Sequence, residues 1–521
     1  MMKRIEHIFE IASRMIMICI CAIVALGSAR TEYPCKRYFE ISNIGILAGA
    51  ILVCIVIVIF HQKYGKEIHF HSTKKKIIWG SVIFGIIQIY ICYNYYFLTG
   101  WDVGTIYHAA LEIVNNKVNS TVDLQYFSVY PNNIELLGIF IGCLKINKYI
   151  GVLDPQNGIM VFLILNSIIM MVAGYCLFNC LKFIWNEKWA CIGWGFYIIY
   201  IGLSPWVSIP HSDSLGLLFP VLELDLLIKL KQSRTKWLYS ILLGIVAGIG
   251  YYIKPQTIIM LIAILAWELL KMIVGTAEKT QINKKSIILL MVLCIAGIKC
   301  AGFIPEAIVY SFDIELDADQ KFGMAHFLMM GMNPDSEGVY SGEDVEFSAS
   351  FSNEKDRVWG ECKIIKQRLK AYGLVEYIKL LGKKVLTTYG DGTFAWGMEG
   401  GDGFWNEIIP QKNEGVSKIT REFYYGAGKY YDKFMLYMQF LWILILFLQC
   451  FAGMKENASE MYIVQLSAIG LLIFELLFEA RARYLYTFSP LYILLAVGGL
   501  KNIVYKCDVI KKEYLANNSS C

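Results

Sequence analysis

Apolar residues in this chain neither alternate nor keep to one helical stripe; they fill whole windows, and short polar stretches separate the windows. A helix that is apolar on every side must be buried in protein or lipid. Crossing the hydrocarbon core takes ~20 mainly apolar residues. Thirteen stretches qualify as candidate spans: 8–27, 42–60, 77–98, 131–146, 157–181, 189–204, 214–230, 237–253, 256–273, 286–304, 435–452, 460–478 and 485–505. The pattern predicts an all-α polytopic membrane protein of about 12–13 transmembrane helices.

Composition agrees. Of 521 residues, 56% are hydrophobic and 17% charged, against about 25% charged in soluble domains. A net charge of +5 gives no footing for nucleic acid. Most of the fifteen cysteines lie inside apolar runs, where they act as small hydrophobes. The others show no CxxC spacing, so neither a disulfide scaffold nor a zinc site is expected. The start, Met1-Met2-Lys3-Arg4 before an apolar run, resembles a signal peptide. Arg14 interrupts that run and no small-residue cleavage site follows, so a retained first helix is expected.

Lysine and arginine in short loops set orientation. Residues 61–76, 229–236, 278–285 and 501–512 are basic and are assigned to the cytoplasm. Counting backward from the tail puts 204–213, 252–256, 305–434 and 479–484 outside, and counting forward from the start puts 99–130 outside. The counts disagree by one crossing between 131 and 204, so either 131–146 or 189–204 must be broken or re-entrant. Such backbone is tolerated at membrane depth only inside protein or along a cavity.

Four regions follow: 1–76, two helices and a basic loop; 77–304, the core, with the outer loop 99–130; 305–434, a large outer region; and 435–521, the closing helices and basic tail. The outer region is electrically two-sided. Residues 313–361 hold twelve acidic and three basic side chains, and 362–384 hold seven basic side chains against Glu376. Apolar residues at three- and four-residue steps from Ile364 to Val385 predict an amphipathic basic helix near 362–386, lying on the bilayer surface. It reads either as a simple anchor or as a receiver of anionic headgroups. The glycine-rich stretches Tyr389–Thr393 and Glu399–Gly403 read as turns.

Polar groups gather at the outer ends of the spans, where charge is costly and functional by default. Asp102 lies between Gly100 and Gly104 where the third span ends, and it reads equally well as a helix cap. Tyr130-Pro131-Asn132-Asn133 opens the next segment. Pro210-His211-Ser212-Asp213 follows a proline break, and capping of the next helix is the simplest role for Asp213. Lys254 precedes Pro255 in a turn between spans. Glu479-Ala480-Arg481-Ala482-Arg483-Tyr484 puts two arginines against the positive-inside bias. Their planar forks suit phosphate oxygens, and an ion pair with Glu479 is the plainer alternative. His61, His69 and His71 read as solvated loop residues, and His326 as packed polar structure.

Taken in order, Asp102, Tyr130-Pro131, Asp213, Lys254-Pro255 and Arg481-x-Arg483-Tyr484 resemble the motifs of GT-C membrane glycosyltransferases. The likeness is greatest to bacterial family 39, the protein O-mannosyltransferase-like group. His326–Gly331 and Glu479–Tyr484 look similar to multi-span glycosyltransferases of Gram-positive bacteria. The likeness covers most of the chain after residue 77, and the two helices before it look like an addition. Two motifs depart from the pattern: Val103 follows Asp102 where many members have glutamate, and Tyr-Pro-Pro is here Tyr130-Pro131-Asn132.

The resemblance implies a GT-C-like bundle in a bacterial plasma membrane with its site on the outer face. It implies a polyprenyl-phosphate-linked sugar as donor, and a glycan, glycolipid or protein as acceptor. Asp102 would be the general base of an inverting transfer. Arg481, Arg483 and Lys254 would hold the donor phosphate. Asp213, His211, Tyr130 and Tyr484 would orient substrate; no cofactor is certain, and a divalent metal at His211 and Asp213 stays open. A transporter or flippase for a lipid-linked saccharide, or a non-catalytic envelope assembly protein, would share the same composition.

Overall fold

The computed structural model describes residues 1–27, 41–64, 73–94, 96, 98–99, 101–115, 125–151, 159–274, 284–396, 405–406, 416–424, 428–453 and 459–518. Three opening helices, α1 (Met2–Gly27), α2 (Asn43–Tyr64) and α3 (Thr73–Asn94), lead to the shorter α4 (Trp101–Val114), α5 (Gln125–Val129) and α6 (Ile134–Ile150). The core continues with α7 (Met160–Ile184), α8 (Glu187–Tyr197), α9 (Ser212–Gly216), α10 (Leu218–Gln232), α11 (Lys236–Ile253), α12 (Ile258–Val274) and α13 (Lys284–Ser311). A region built on α14 (Met324–Gly331), α15 (Gly342–Ala349), α16 (Glu354–Tyr389) and α17 (Val416–Tyr424) precedes the closing helices. These are α18 (Tyr431–Gln449), α19 (Ser459–Leu477) and α20 (Ser489–Asn518). Among the described residues the β structure is one two-residue antiparallel pairing, Leu98–Thr99 with Trp405–Asn406.

Nine of the described helices are long and apolar enough to cross a membrane. Their outward faces carry large aliphatic residues such as Ile8, Leu52, Ile86 and Ile295, an arrangement that water would penalise and lipid favours. α8, α10 and α20 fall outside those nine.

Side-chain ties fix which ends share a level. Gln88, near the end of α3, donates to the Gly202 carbonyl at 2.7 Å and accepts from Ser167, near the start of α7, at 2.9 Å. At the opposite end, His61 of α2 sits 2.6 Å from the Lys188 ammonium at the start of α8 and stacks on Trp189. His61 is therefore packed rather than solvated; His69 and His71 lie outside the described residues.

Segment 131–146 fails to cross. α13 runs parallel to α11, with Cys294 against Gly244 and Gly302 against Tyr252, so its last turn lies at the end where α3 stops. α6 starts there, with Gly138 against Ile308, and stays there: Lys145 lies 4.9 Å from the Phe312 ring, and Lys148 donates to the Val114 carbonyl at 3.2 Å. The expected thirteenth span is instead a helix folded back on α4.

Segment 189–204 is broken. α8 continues as a π-helical turn, Ile198–Gly202, and then a 3-10 turn, Pro205–Ser208. Such a turn frees backbone carbonyls, which must find donors inside a membrane. Tyr437 supplies Ile199, Gln88 supplies Gly202 and Tyr424 supplies Leu203, at 2.7, 2.7 and 2.9 Å.

The two helices that precede the core pack onto the closing helices. Gln439 of α18 donates to the Asn43 side chain at 3.0 Å.

In the large region between α13 and α18, opposite charges meet one another. Arg368 pairs with Asp344 at 2.6 Å and Lys383 with Glu337 at 2.5 Å. His326, Ser348 and Glu361 form a buried chain, with 2.7 Å at each link. Burial holds the His326 imidazole down at about 4, so it is neutral. The amphipathic helix runs from 354 to 389 rather than 362–386, and it bends at Gly373. Lys384, expected at the bilayer surface with its neighbours, is fully buried. The stretch Tyr389–Thr393 forms a turn, but one sunk in the bundle: Tyr200 donates to the Gly392 carbonyl at 2.7 Å. The second glycine-rich stretch, Glu399–Gly403, lies outside the described residues.

Candidate functional site

The 3-10 turn after α8 delivers the first two site residues. Asn166 of α7 donates to the Trp206 and Val207 carbonyls, 3.0 Å each, and Trp206 stacks on Tyr486 at 5.2 Å. Held this way, the chain emerges at His211 and Asp213, both buried. His211 Nδ1 lies 2.7 Å from Asp213 Oδ2 and 3.2 Å from the Asp213 amide nitrogen. The Asp213 amide donates to Nδ1, which caps the helix start. Asp213 is thus not a helix cap; His211 occupies the cap position.

The Asp213 carboxylate gathers charge from distant stretches. Lys254 Nζ lies 2.6 Å from Oδ1, and Arg483 Nε 3.7 Å from Oδ2. Burial alone would raise the Asp213 carboxyl, but Lys254, His211 and Arg483 together hold it below the usual carboxylate range. Burial and the two neighbouring cations leave His211 neutral, against the pull of Asp213.

Lys254 is presented by the proline-broken link from α11 to α12, its extended backbone preventing continuation of either helix. Arg483 and Arg481 lie in the turn between α19 and α20. Arg481 Nε bonds Glu479 at 2.8 Å, so the plainer ion pair is in place. Tyr484 donates to the other Glu479 oxygen at 3.1 Å, and its ring lies 4.5 Å from the Lys254 ammonium and 5.5 Å from the Arg483 guanidinium. Burial opposes the Glu479 charge, but Arg481 and Arg483 outweigh it and lower its pKa.

Asp102 lies in the first turn of α4, exposed, beside the Tyr126 hydroxyl. Burial and the Asp102 charge keep that phenol protonated, and Asn133 donates to it at 2.5 Å. Tyr130 packs between Tyr126, tilted, and Phe322, edge-on, with ring centres 5.2 and 5.5 Å away. After burial, the charges of both Asp102 and Glu479 raise the Tyr130 and Tyr340 phenols. Asp102 therefore shares one aromatic rim with the Glu479–Arg481 pair. Glu135 lies apart, buried in α6, where burial pushes it up to about 8.

Tyr126, Tyr340 and Lys384 carry no signal in the sequence. Lys384 donates to the Gly331 and Phe478 carbonyls at 2.7 and 2.6 Å, and burial brings its amine down to about 8. Ala480 N donates to the Gly338 carbonyl at 2.9 Å. Gly331 lies so close that a Cβ would sit 2.5 Å from the Leu477 and Phe478 carbonyl oxygens. This seam sets the position of the arginine turn. Gly331→Ala should cost about 1–3 kcal/mol through overpacking and shift Arg481, which a paired measurement of thermal stability and turnover checks. Unchanged values for both would remove the seam from the site.

A divalent ion does not fit here. Among the described residues no three metal-ligating side chains converge, and the Asp213 oxygens already face Lys254 and His211.

Residues 3–503 match the sequence model of a family described as conserved hypothetical integral membrane protein. The chain belongs to that family. Membership fits the multi-pass architecture and makes the protein an integral membrane protein along nearly its whole length. No curated protein and no solved structure matches the chain.

Proposed function

We propose that this member of the family transfers a sugar from a polyprenyl-phosphate-linked donor to an acceptor hydroxyl outside the cytoplasm, with inversion. The observation that carries the reading is the buried Asp213 carboxylate, which draws Lys254 and Arg483 together from separate turns, at the end of the bundle where Asp102 stands exposed. The acceptor is a glycan, glycolipid or protein, and the host membrane is the bacterial plasma membrane.

In this reading Asp102 takes the proton of the acceptor hydroxyl as its oxygen attacks the anomeric carbon. The bond from that carbon to the phosphate oxygen breaks, and its electron pair leaves with the polyprenyl phosphate. Arg483 and Lys254, already aligned by Asp213, offset the growing phosphate charge, and Arg481 supports them from the same turn. His211 and Asp213 set the cations' positions, while Tyr130 and Tyr484 line the approach. Tyr126, donating to Asp102, fixes the carboxylate's direction.

The test is reconstitution of the purified protein in liposomes with polyprenyl-phosphate-linked sugars and an acceptor mixture drawn from bacterial envelopes. A transferase releases free polyprenyl phosphate in step with glycosylated product. Movement of intact donor between leaflets without that release would replace this reading with a flippase.

A further inference from the structure

The seam and the arginine turn leave one part of the large region unexplained. After Gly373, α16 turns a strongly apolar ledge outward: Leu374, Val375 and Ile378 are 76%, 64% and 57% exposed. The bend that creates it has φ +59° and ψ −179° at Gly373, a combination essentially limited to glycine. Before the bend the same helix packs on α14 and leaves a shallow groove of about 360 Å³, lined by Leu328, Cys362, Ile365 and Leu369 with Lys366 and Lys370. Beyond the ledge stand Lys379 and Lys383. They are paired with Glu376 and Glu337, but these pairs lie at the surface and hold their partners weakly.

Position says what covers the ledge. Leu386, two turns beyond it, packs against Gly27 at the end of α1. The neighbouring Leu26 is 74% exposed, and the apolar outer face of α1 runs back from it through Ile18, Met15, Ile11 and Ile8. The ledge therefore continues a surface that already faces lipid. Apolar side chains flanked by lysines are the make-up of a segment that lies in a membrane interface and favours anionic headgroups.

We propose that residues 374–383 form an interfacial foot. Leu374, Val375 and Ile378 enter the acyl boundary of the leaflet, and Lys366, Lys370 and Lys379 engage the phosphates of anionic phospholipids. The foot holds the large region down on the membrane, independently of any reaction at the Asp213 cluster.

The test is photo-crosslinking of the full-length protein in nanodiscs of phosphatidylcholine, with and without phosphatidylglycerol. Benzoylphenylalanine replaces Leu374, Val375 or Ile378 in turn, and Glu343, on exposed α15, serves as control. Mass spectrometry should find phospholipid adducts at all three ledge positions and none at 343. Phosphatidylglycerol should be over-represented among them, and its enrichment should fall about fivefold for each of Lys366, Lys370 and Lys379 changed to glutamine. No lipid adduct at the ledge, or adducts only to a second copy of the chain, overturns the foot. Adducts that mirror the bulk lipid ratio overturn the anionic preference.

Discussion

On the proposed reaction, Asp102→Asn is expected to lower sugar transfer by about 10²–10⁴-fold, the usual contribution of a positioned base. The amide keeps the carboxylate's size and its contact with Tyr126 but cannot accept the acceptor proton. Asp102 is exposed in the first turn of α4 and carries none of the buried ion pairs, so the variant should fold as the wild type does. The measurement is release of polyprenyl phosphate at saturating donor, alongside thermal unfolding. Retention of more than about a tenth of the wild-type rate would remove Asp102 from the base role.

Asp213→Ala gives the second large effect, and it is one of stability. The carboxylate is fully buried and pairs with Lys254, His211 and Arg483. Removing it takes away the carboxylate that both cations face. Breaking a buried pair from one side costs about 3–5 kcal/mol, so a marked fall in thermal stability and loss of donor binding are expected. Lys254→Met combined with Asp213→Ala should recover part of that stability, because the uncompensated charge goes with its partner. A double variant no more stable than the single one would show that Asp213 acts through something other than this pair.

The membrane character, the helix positions and the polar turns were legible because each depends on local sequence. Apolar windows long enough to cross lipid announce themselves, and prolines mark Lys254 and His211 as lying in breaks. The crossing conflict between 131 and 204 was legible too, but not its solution. Both segments are apolar and short, and the contacts of Lys145 with Phe312 and Lys148 with Val114, which mark where α6 lies, are long-range. The cap reading of Asp213 fails for a similar reason: a carboxylate beside a helix start looks like a cap unless Lys254 and Arg483 are known to reach it. Lys384 sits in a run of surface lysines, and nothing local sets it apart. Its burial follows from the packing of Gly331 and Gly338 on the turn at Phe478–Ala480.

That packing has an evolutionary consequence. Main-chain carbonyls and amides make up most of the junction, and these groups persist whatever side chains surround them. The helices from 324 to 372 can therefore drift in surface chemistry while Arg481 and Arg483 stay where they are. For the transfer proposed above, such a joint would let acceptor choice vary while the donor-binding turn is held.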